Sequence, residues 1–464
     1  MKRFFSRPRF EPLVAILLLV ATPLARGQSD SIDTLNPSGV LRTITLDEDA
    51  IDSRNPFFQS LGTNGRSCAS CHVASTGWTI SPPEIQARFL ATNGRDPIFR
   101  TNDGSNSPLA DVSTVAARRE AYSMLLEKGL IRVGLPIPAQ AEFKLIGVDD
   151  PYGFASKKEL SLFRRPIPTT NLRFITGIMW DGRESFAPFG TFPILASNTV
   201  AQNARALFED LKHQANSATT GHAQGKALTN AQQRDIVNFE LNLVTAQIYD
   251  RGAGKLTAKG ARGGPEYLAN QEFYVTINDV LGADLETGVF DPKAMTLYDA
   301  WTYSKNPQRA AVARGAALFN DTRIEITGVG GLNDDLGVPL ILGSCTSCHD
   351  SPNVGNHSVA LPIDIGLTDE AFRTPDMPLY TLKNLTTGAV RKTTDPGRAL
   401  LTGKWNDIGK FKGPVLRGLA ARAPYFHNGL AADLGAVVDF YNTRFDAGFT
   451  EDEKDDLIAF LRTL

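Results

Sequence analysis

Thiols are scarce. Four cysteines in 464 residues are too few to staple a chain of this length, which excludes a disulfide scaffold. There is no basic excess either: 48 Lys and Arg face 50 Asp and Glu, a formal net charge of −2. Neither nucleic acid nor an anionic membrane is therefore indicated as a partner. Leu13 to Ala21 is an apolar run of nine residues, and no later stretch approaches the roughly 20 needed to span a bilayer. No fixed short repeat and no long alternating strand series is present. What remains is an ordinary globular mixture, 42% hydrophobic and 21% charged, long enough for two or three domains.

The N-terminus reads as an export signal. Lys2, Arg3, Arg7 and Arg9 precede the apolar run, and Ala25-Arg26-Gly27 offers small residues for cleavage before Gln28. Residues 1–27 are thus expected to be a signal peptide and the mature chain a soluble periplasmic protein. Its balance would be 43 basic to 49 acidic residues, or −6. The first cysteine is Cys68, so no thiol lies near the cleavage site for a lipid.

Residues 28–55 read as a polar, exposed lead-in. Residues 116–130 have helical character closed by Gly129, and 131–170 read as short extended pieces punctuated by prolines. Thr229 to Gln232 and Thr450 to Glu453 are capping boxes. The first leads into Ile236, Phe239, Leu243 and Val244 on one helical face. The second opens a closing helix with Leu457, Phe460, Leu461 and Leu464 on one stripe. Residues 310–319 also read as helix, and the whole as mainly α with long loops.

All four cysteines fall in two copies of one pattern. These are Cys68-Ala69-Ser70-Cys71-His72 and Cys345-Thr346-Ser347-Cys348-His349. Cys-x-x-Cys-His is the c-type haem attachment pattern. Two thiols meet the two porphyrin vinyl groups, and the adjacent histidine, His72 or His349, reaches the iron from one side. A four-cysteine zinc site or two redox disulfides are the alternatives, but neither needs histidine directly after the second cysteine. Two covalently attached haems are expected.

Around these motifs the chain resembles the bacterial di-haem cytochrome c peroxidases and their MauG-like relatives. The resemblance rests on Asn171-Leu172-Arg173-Phe174 leading into Met179-Trp180-Asp181-Gly182-Arg183, and on Ala313-Arg314-Gly315-Ala316-Ala317-Leu318-Phe319. It also rests on Leu416-Arg417-Gly418-Leu419 and Ala423-Pro424-Tyr425-Phe426-His427-Asn428-Gly429. It covers most of 308–464 and patches of 56–250, while 79–160 and 185–212 match poorly and read as insertions. It implies two cytochrome c-like haem domains, 28–306 with the peroxidatic haem and 307–464 with the electron-transfer haem.

Family peroxidases often close the N-terminal haem with a histidine from a loop soon after the motif. No histidine occurs from residue 73 to 212, which points to an open or water-bound site as in the MauG-like branch. The family places a Gln and a Glu after the Trp-Asp-Gly-Arg segment. Gln214 matches the first, and His222 stands near the second, with an ordinary pKa suited to proton transfer. His213 and His222 also fit as ordinary surface histidines on a helix and its end. For the C-terminal haem the resemblance brings Tyr441 as the sixth ligand, where peroxidases use methionine. Tyr441 also fits as a packing aromatic, and Met377, His357 and His427 are the other candidates. His427 follows the family as a hydrogen-bonding group near the haem. Trp180 would carry electrons between haems, or simply fill space. Arg183 and Arg417 would pair with haem propionates, or be ordinary arginines. Calcium in the family uses an asparagine and carbonyls corresponding to those near Arg422 and Pro424. The asparagine's position is Arg165 here, a fixed cation, so calcium is left open.

The expected function is a periplasmic di-haem oxidoreductase reducing hydrogen peroxide at the N-terminal haem. Electrons would come through the C-terminal haem from a small redox protein or other donor. The alternatives are a MauG-like or oxygenase-like oxidation of a protein or organic substrate through high-valent iron, and a non-catalytic di-haem electron carrier. Homodimers are common in the family.

Overall fold

A computed structural model describes residues 31–46, 51–185, 194–280 and 289–464. The expected signal peptide, 1–27, lies outside the described residues. No helix among the described residues is long and apolar enough to cross a membrane.

The residues expected as a lead-in are a β-hairpin. Ser31–Asn36 pairs antiparallel with Gly39–Thr45, which pairs in turn with Leu243–Asp250, and Gly254–Lys255 closes a four-stranded sheet. In Gly39–Thr45 every second residue, Gly39, Leu41 and Thr43, is buried. That period of two is the mark of a half-buried strand. The hairpin reaches the first cysteine motif through Trp78, whose Nε1–H donates to Thr43 Oγ1 at 2.9 Å.

The capping boxes appear where the sequence places them. Thr229 opens the helix Asn230–Asn242 and Thr450 opens Glu451–Leu461, each through its side chain and the N3 residue. A third, Thr199 with Gln202, opens Val200–Gly221. The helix Asn230–Asn242 stops short of expectation. Leu243 and Val244 do not continue its apolar face but begin the strand that pairs with Gly39–Thr45. Residues 116–130 fold as Val115–Ala121 and Ser123–Lys128, stopped by Gly129 at φ 61°.

The extended pieces of 131–170 become strands. Ile131–Leu135 pairs with Leu160–Arg164, and Phe143–Asp149 pairs with Leu379–Asn384, itself paired to Val390–Thr393. With a further hairpin, Ile324–Thr327 against Leu340–Gly343, the chain is 34% helix and 17% strand. The mainly α reading therefore gives way to a mixed one. It failed because each strand has eight residues or fewer and two of the pairings, Gly39–Thr45 with Leu243–Asp250 and Phe143–Asp149 with Leu379–Asn384, join stretches some two hundred residues apart.

Packing crosses residue 307 in both directions. Phe143, Leu160 and Leu162 share a core with Tyr380, Leu382 and Leu400. Leu256, Tyr298 and Trp301 share another with Val312, Phe319, Phe460 and Leu464. At the centre of the latter, Pro307–Asp321 lies against Glu451–Leu461. Gly315 permits the approach, because a Cβ there would stand 1.9 Å from the Asp456 carbonyl oxygen. Backbone cannot yield as a side-chain tip can. Gly315→Ala should therefore force the helices apart and destabilise the chain by about 1–3 kcal/mol. A lower midpoint in urea unfolding is the expected result; an unchanged midpoint would show that the two helices do not need this contact.

Candidate functional site

Each cysteine motif folds as one short turn, Cys68–Ser70 or Cys345–Ser347. The sequences are alike beyond the cysteines, Ser-Cys-x-Ser-Cys-His in both, and the serines explain the fold. The Ser67 N–H donates to Ser70 Oγ at 3.0 Å, and the Ser344 N–H to Ser347 Oγ at 3.1 Å. The histidine N–H then bonds the first cysteine's carbonyl at 3.1 Å in each copy. These bonds close the turn, and both thiols and the imidazole line one cavity.

Both imidazoles are held from behind. His72 Nδ1–H donates to the Trp78 carbonyl at 3.1 Å and His349 Nδ1–H to the Gly355 carbonyl at 2.6 Å. A carbonyl only accepts, so Nδ1 carries the proton and Nε2 keeps its lone pair for a metal. Gly355 sits at φ 80°, and a Cβ there would press on Met295 and Leu416 at 2.6–2.9 Å. Burial pushes the Cys71 thiol up to about 11 and Cys345 and Cys348 up to about 12. Buried neutral thiols do not suit a redox disulfide, which needs a thiolate. The two pairs face separate cavities, so they do not form one four-cysteine zinc site.

The cavity of the first motif has a volume of about 150 Å³. Besides Cys68, Cys71 and His72 it is lined by Gln214, His222 and Glu240. Gln214 and Ala218 lie on Val200–Gly221, and His222 caps its end, so four-residue steps bring them to one face. His213 points elsewhere, with its Nδ1 2.5 Å from Glu184. His222 Nδ1–H donates to Asp103, whose other oxygen takes Arg66 at 2.5 Å. Burial alone would push the Asp103 carboxyl up, but the His222 hydrogen bond and the Arg66 guanidinium hold it below the ordinary range. Glu240 has no such partner. Its Oε2 is unbonded, and burial pushes its carboxyl up to about 8.

The cavity of the second motif, about 230 Å³, is lined by Cys345, Cys348, His349, Trp180, His427 and Tyr441, among others. Tyr441 sits among Phe426, Phe440 and Phe445, and burial raises its phenol. His427 is stacked on Phe411 at 3.9 Å, with Trp180 edge-on at 6.2 Å. Its buried Nε2 has no partner, and burial pushes the imidazole down to about 4. Met377 packs with Met124, Leu130 and Phe163 instead, and His357 bonds Asp350 at 3.2 Å. Neither lines this cavity.

The two cavities share a wall. Pro166, Pro168 and Lys412 line both. Met179 lines the first and its neighbour Trp180 the second. Trp180 Nε1–H donates to the Arg165 carbonyl at 2.8 Å, and the Trp180 carbonyl accepts the Lys412 N–H at 2.9 Å.

The arginines singled out by sequence are placed differently. Arg417 is buried on the carbonyls of Asn353, Leu464 and Gly264 at 2.9–3.3 Å. Arg183 pairs with Asp181 at 3.1 Å. Neither lines a cavity, so the propionate role given to them is not supported by their position. The cations that do face the shared region are Arg165, Lys412 and Arg422, and none pairs with a carboxylate among the described residues. Burial pushes Arg165 and Arg422 down to about 10 and Lys412 to about 8. Arg422 Nη2 is buried without a partner. Arg422 Nη2, His427 Nε2 and Glu240 Oε2 are the partnerless buried polar atoms of the two linings, and the three cations without a carboxylate are what haem carboxylates would fit.

Sequence reasoning missed Asp103, Arg66, Glu240 and Lys412. Asp103 stands 119 residues before His222, in a stretch that reads as an inserted loop. No spacing rule joins such a pair.

Arg165 also bears on calcium. Its guanidinium donates to the carbonyls of Ile80 at 2.7 Å, Lys128 at 2.8 Å and Arg422 at 3.0 Å. The Arg422 carbonyl that the family resemblance offers to calcium is thus already bound to a cation. Arg165→Ala leaves buried carbonyls unsatisfied and should cost roughly 3 kcal/mol or more. EGTA should leave the melting temperature of the unsubstituted protein unchanged; a drop with EGTA would show that Arg165 does not stand in for a metal.

No family model matches the chain. Curated relatives match parts of it. Cytochrome-c peroxidase IdrP2 of Denitromonas iodatirespirans is 31% identical over 133 residues, 26% of this chain and 36% of the relative. Cytochrome-c peroxidase IdrP1 of Pseudomonas sp. (strain SCT) is 30% identical over 180 residues, 34% and 41%. Cytochrome c551 peroxidase of Nitrosomonas europaea is 31% identical over 130 residues, 28% and 33%. The matches thus span between 33% and 41% of the length of these three relatives. Among solved structures, a MauG-like protein associated with microbial copper homeostasis is 16% identical with a TM-score of 0.37, covering 89% of this chain and 87% of its own. A variant of the dihaem peroxidase BthA from Burkholderia thailandensis is 16% identical with a TM-score of 0.32, covering 94% and 95%. In sequence, about a quarter to a third of the chain is thus similar to parts of bacterial cytochrome-c peroxidases.

Proposed function

We propose that the chain is an exported, periplasmic di-haem oxidoreductase that reduces hydrogen peroxide. One haem is held by Cys68, Cys71 and His72 in a 28–306 domain, the other by Cys345, Cys348 and His349 in a 307–464 domain. The observation that carries this reading is the pairing of each motif with its own cavity and its own carbonyl-anchored histidine. When bound, haem supplies the redox chemistry, and the protein sets ligation, proton movement and access.

The different linings of the two cavities support different work at the two sites. At the first, reduction consumes two electrons and two protons per peroxide and yields two waters. His222 is the proton carrier: its Nδ1–H is committed to Asp103, leaving Nε2 to take a proton from one peroxide oxygen and return it to the other. Its side chain is 42% exposed, which gives solvent a route for replacement protons. Gln214 orients the peroxide by hydrogen bonding. At the second, Tyr441, which lines the cavity with His349, would hold the metal, and a small redox protein would supply electrons. They cross at Met179 and Trp180, adjacent residues that face different cavities.

A MauG-like oxidation of a protein or organic substrate is the second reading, favoured by Tyr441 lining the cavity where Met377 does not. Electron paramagnetic resonance of the diferric protein, before and after one equivalent of peroxide, tests both. One high-spin and one low-spin signal, both lost with peroxide, are expected. Two low-spin signals indifferent to peroxide would instead mark a simple electron carrier.

The proton carrier is tested separately by stopped-flow kinetics. His222→Gln should slow the reaction with peroxide by about 10²–10⁴-fold. Asp103→Asn should slow it less while leaving the resting spectra of both haems unchanged. Wild-type rates in His222→Gln would remove His222 from the chemistry.

A further inference from the structure

Of the residues that line both cavities, Pro166, Pro168 and Lys412, only Lys412 carries a charge. Its position is fixed at both ends. The backbone N–H donates to the Trp180 carbonyl at 2.9 Å, and Nζ donates to the Gly177 carbonyl at 2.7 Å. An ammonium group has three N–H donors, so two remain after the bond to Gly177. No carboxylate among the described residues lies in ion-pair reach of it. The other titratable side chains that share the two linings do not supply one: Arg165 and Arg422 are cations, the Asp103 carboxylate is taken by Arg66 and His222, and Glu240, a carboxyl that burial pushes up to about 8, makes no ion pair with it.

A buried cation without an anion is unfavourable, and proteins rarely keep one without a use. Burial has already pushed the Lys412 ammonium down to about 8. The anion must then come from what fills the cavities. A haem carries two propionates, and two cavities meet at this one side chain with two donors to spare.

We propose that Lys412 is a shared counter-ion, binding a propionate carboxylate from the haem of each cavity. This rests on the reading that each cavity holds a haem. It gives the two haems one charge in common. A cation beside a propionate favours the ferrous state of that haem, so a single ammonium raises both reduction potentials together. Arg422, with its unpartnered Nη2 at the second cavity, binds at one haem and does not have this property.

The test uses the full-length holoprotein. Pyridine haemochrome spectra and intact mass first count the covalent haems. Fewer than two per chain would overturn the underlying reading rather than this one. With two present, spectroelectrochemical titration of Lys412→Met and Lys412→Gln should show both midpoint potentials shifted down, whereas Lys412→Arg should keep both near the unsubstituted values. A shift at one haem alone, or at neither, overturns the sharing. Should the uncharged variants fail to fold, resonance Raman of Lys412→Arg decides. Shifted propionate-bending bands at both haems support the proposal, and bands unchanged at either haem refute it.

Discussion

The wall between the two cavities has to bury charge, and most of the surrounding structure answers to that constraint. Two consecutive arginines show two solutions. Arg164 is bidentate to Asp395 at 2.7 and 2.9 Å and reaches Asp181 at 2.6 Å, while Asp181 also takes Arg183. Two guanidinium groups and two carboxylates make a locally neutral cluster, and the segment carrying Trp180 is anchored in it. Arg165 turns the other way and spends its donors on main-chain carbonyls from 80, 128 and 422. It thereby ties three distant stretches to the strand Leu160–Arg164. Its charge, with those of Lys412 and Arg422, has no carboxylate partner among the described residues. An excess of cation in a wall shared by two cavities is the electrostatic complement of cofactors that carry carboxylates.

Local chemistry was legible in the sequence; distant pairing was not. Two of the three capping boxes that open α-helices and the Gly129 stop depend on neighbours within a few residues, and each appears as read. The hairpin at 31–45 was invisible because its sheet is completed by Leu243–Asp250, some two hundred residues later. The same distance explains why Leu243 and Val244 left their expected helix. As apolar residues they fit either period, and a waiting edge strand decided the matter.

The site follows the same rule. His72 and His349 were identified by position, but the groups that orient them, the carbonyls of Trp78 and Gly355, carry no side-chain signal. Asp103 and Glu240 were missed for the converse reason: one acidic residue among fifty has nothing to mark it. Arg417 was overvalued because a conspicuous motif surrounds it. Its guanidinium bonds the main-chain oxygens of Asn353, Gly264 and Leu464, and it lines neither of the two cavities. The stretches that read as insertions are not ornament. They contribute Asp103, the first turns of the helix carrying Gln214, and a strand paired with Leu379–Asn384.

Two nearly identical turns thus sit in one molecule with different prospects, and the difference lies in what lines each cavity. The His72 cavity includes polar side chains: Gln214, His222 and Glu240 offer hydrogen bonds and a route for protons. At His349 the lining is aromatic: Tyr441 stands in a ring of phenylalanines, and the one imidazole present besides His349, His427, is buried, stacked and held neutral. Proton-coupled chemistry needs an exchangeable proton beside the reacting atom, whereas electron transfer needs a site that changes little on changing charge. The polar wall meets the first requirement and the close-packed aromatic wall the second. The two linings are thus in keeping with the division of labour proposed for the two sites, even though the cysteine turns themselves are alike.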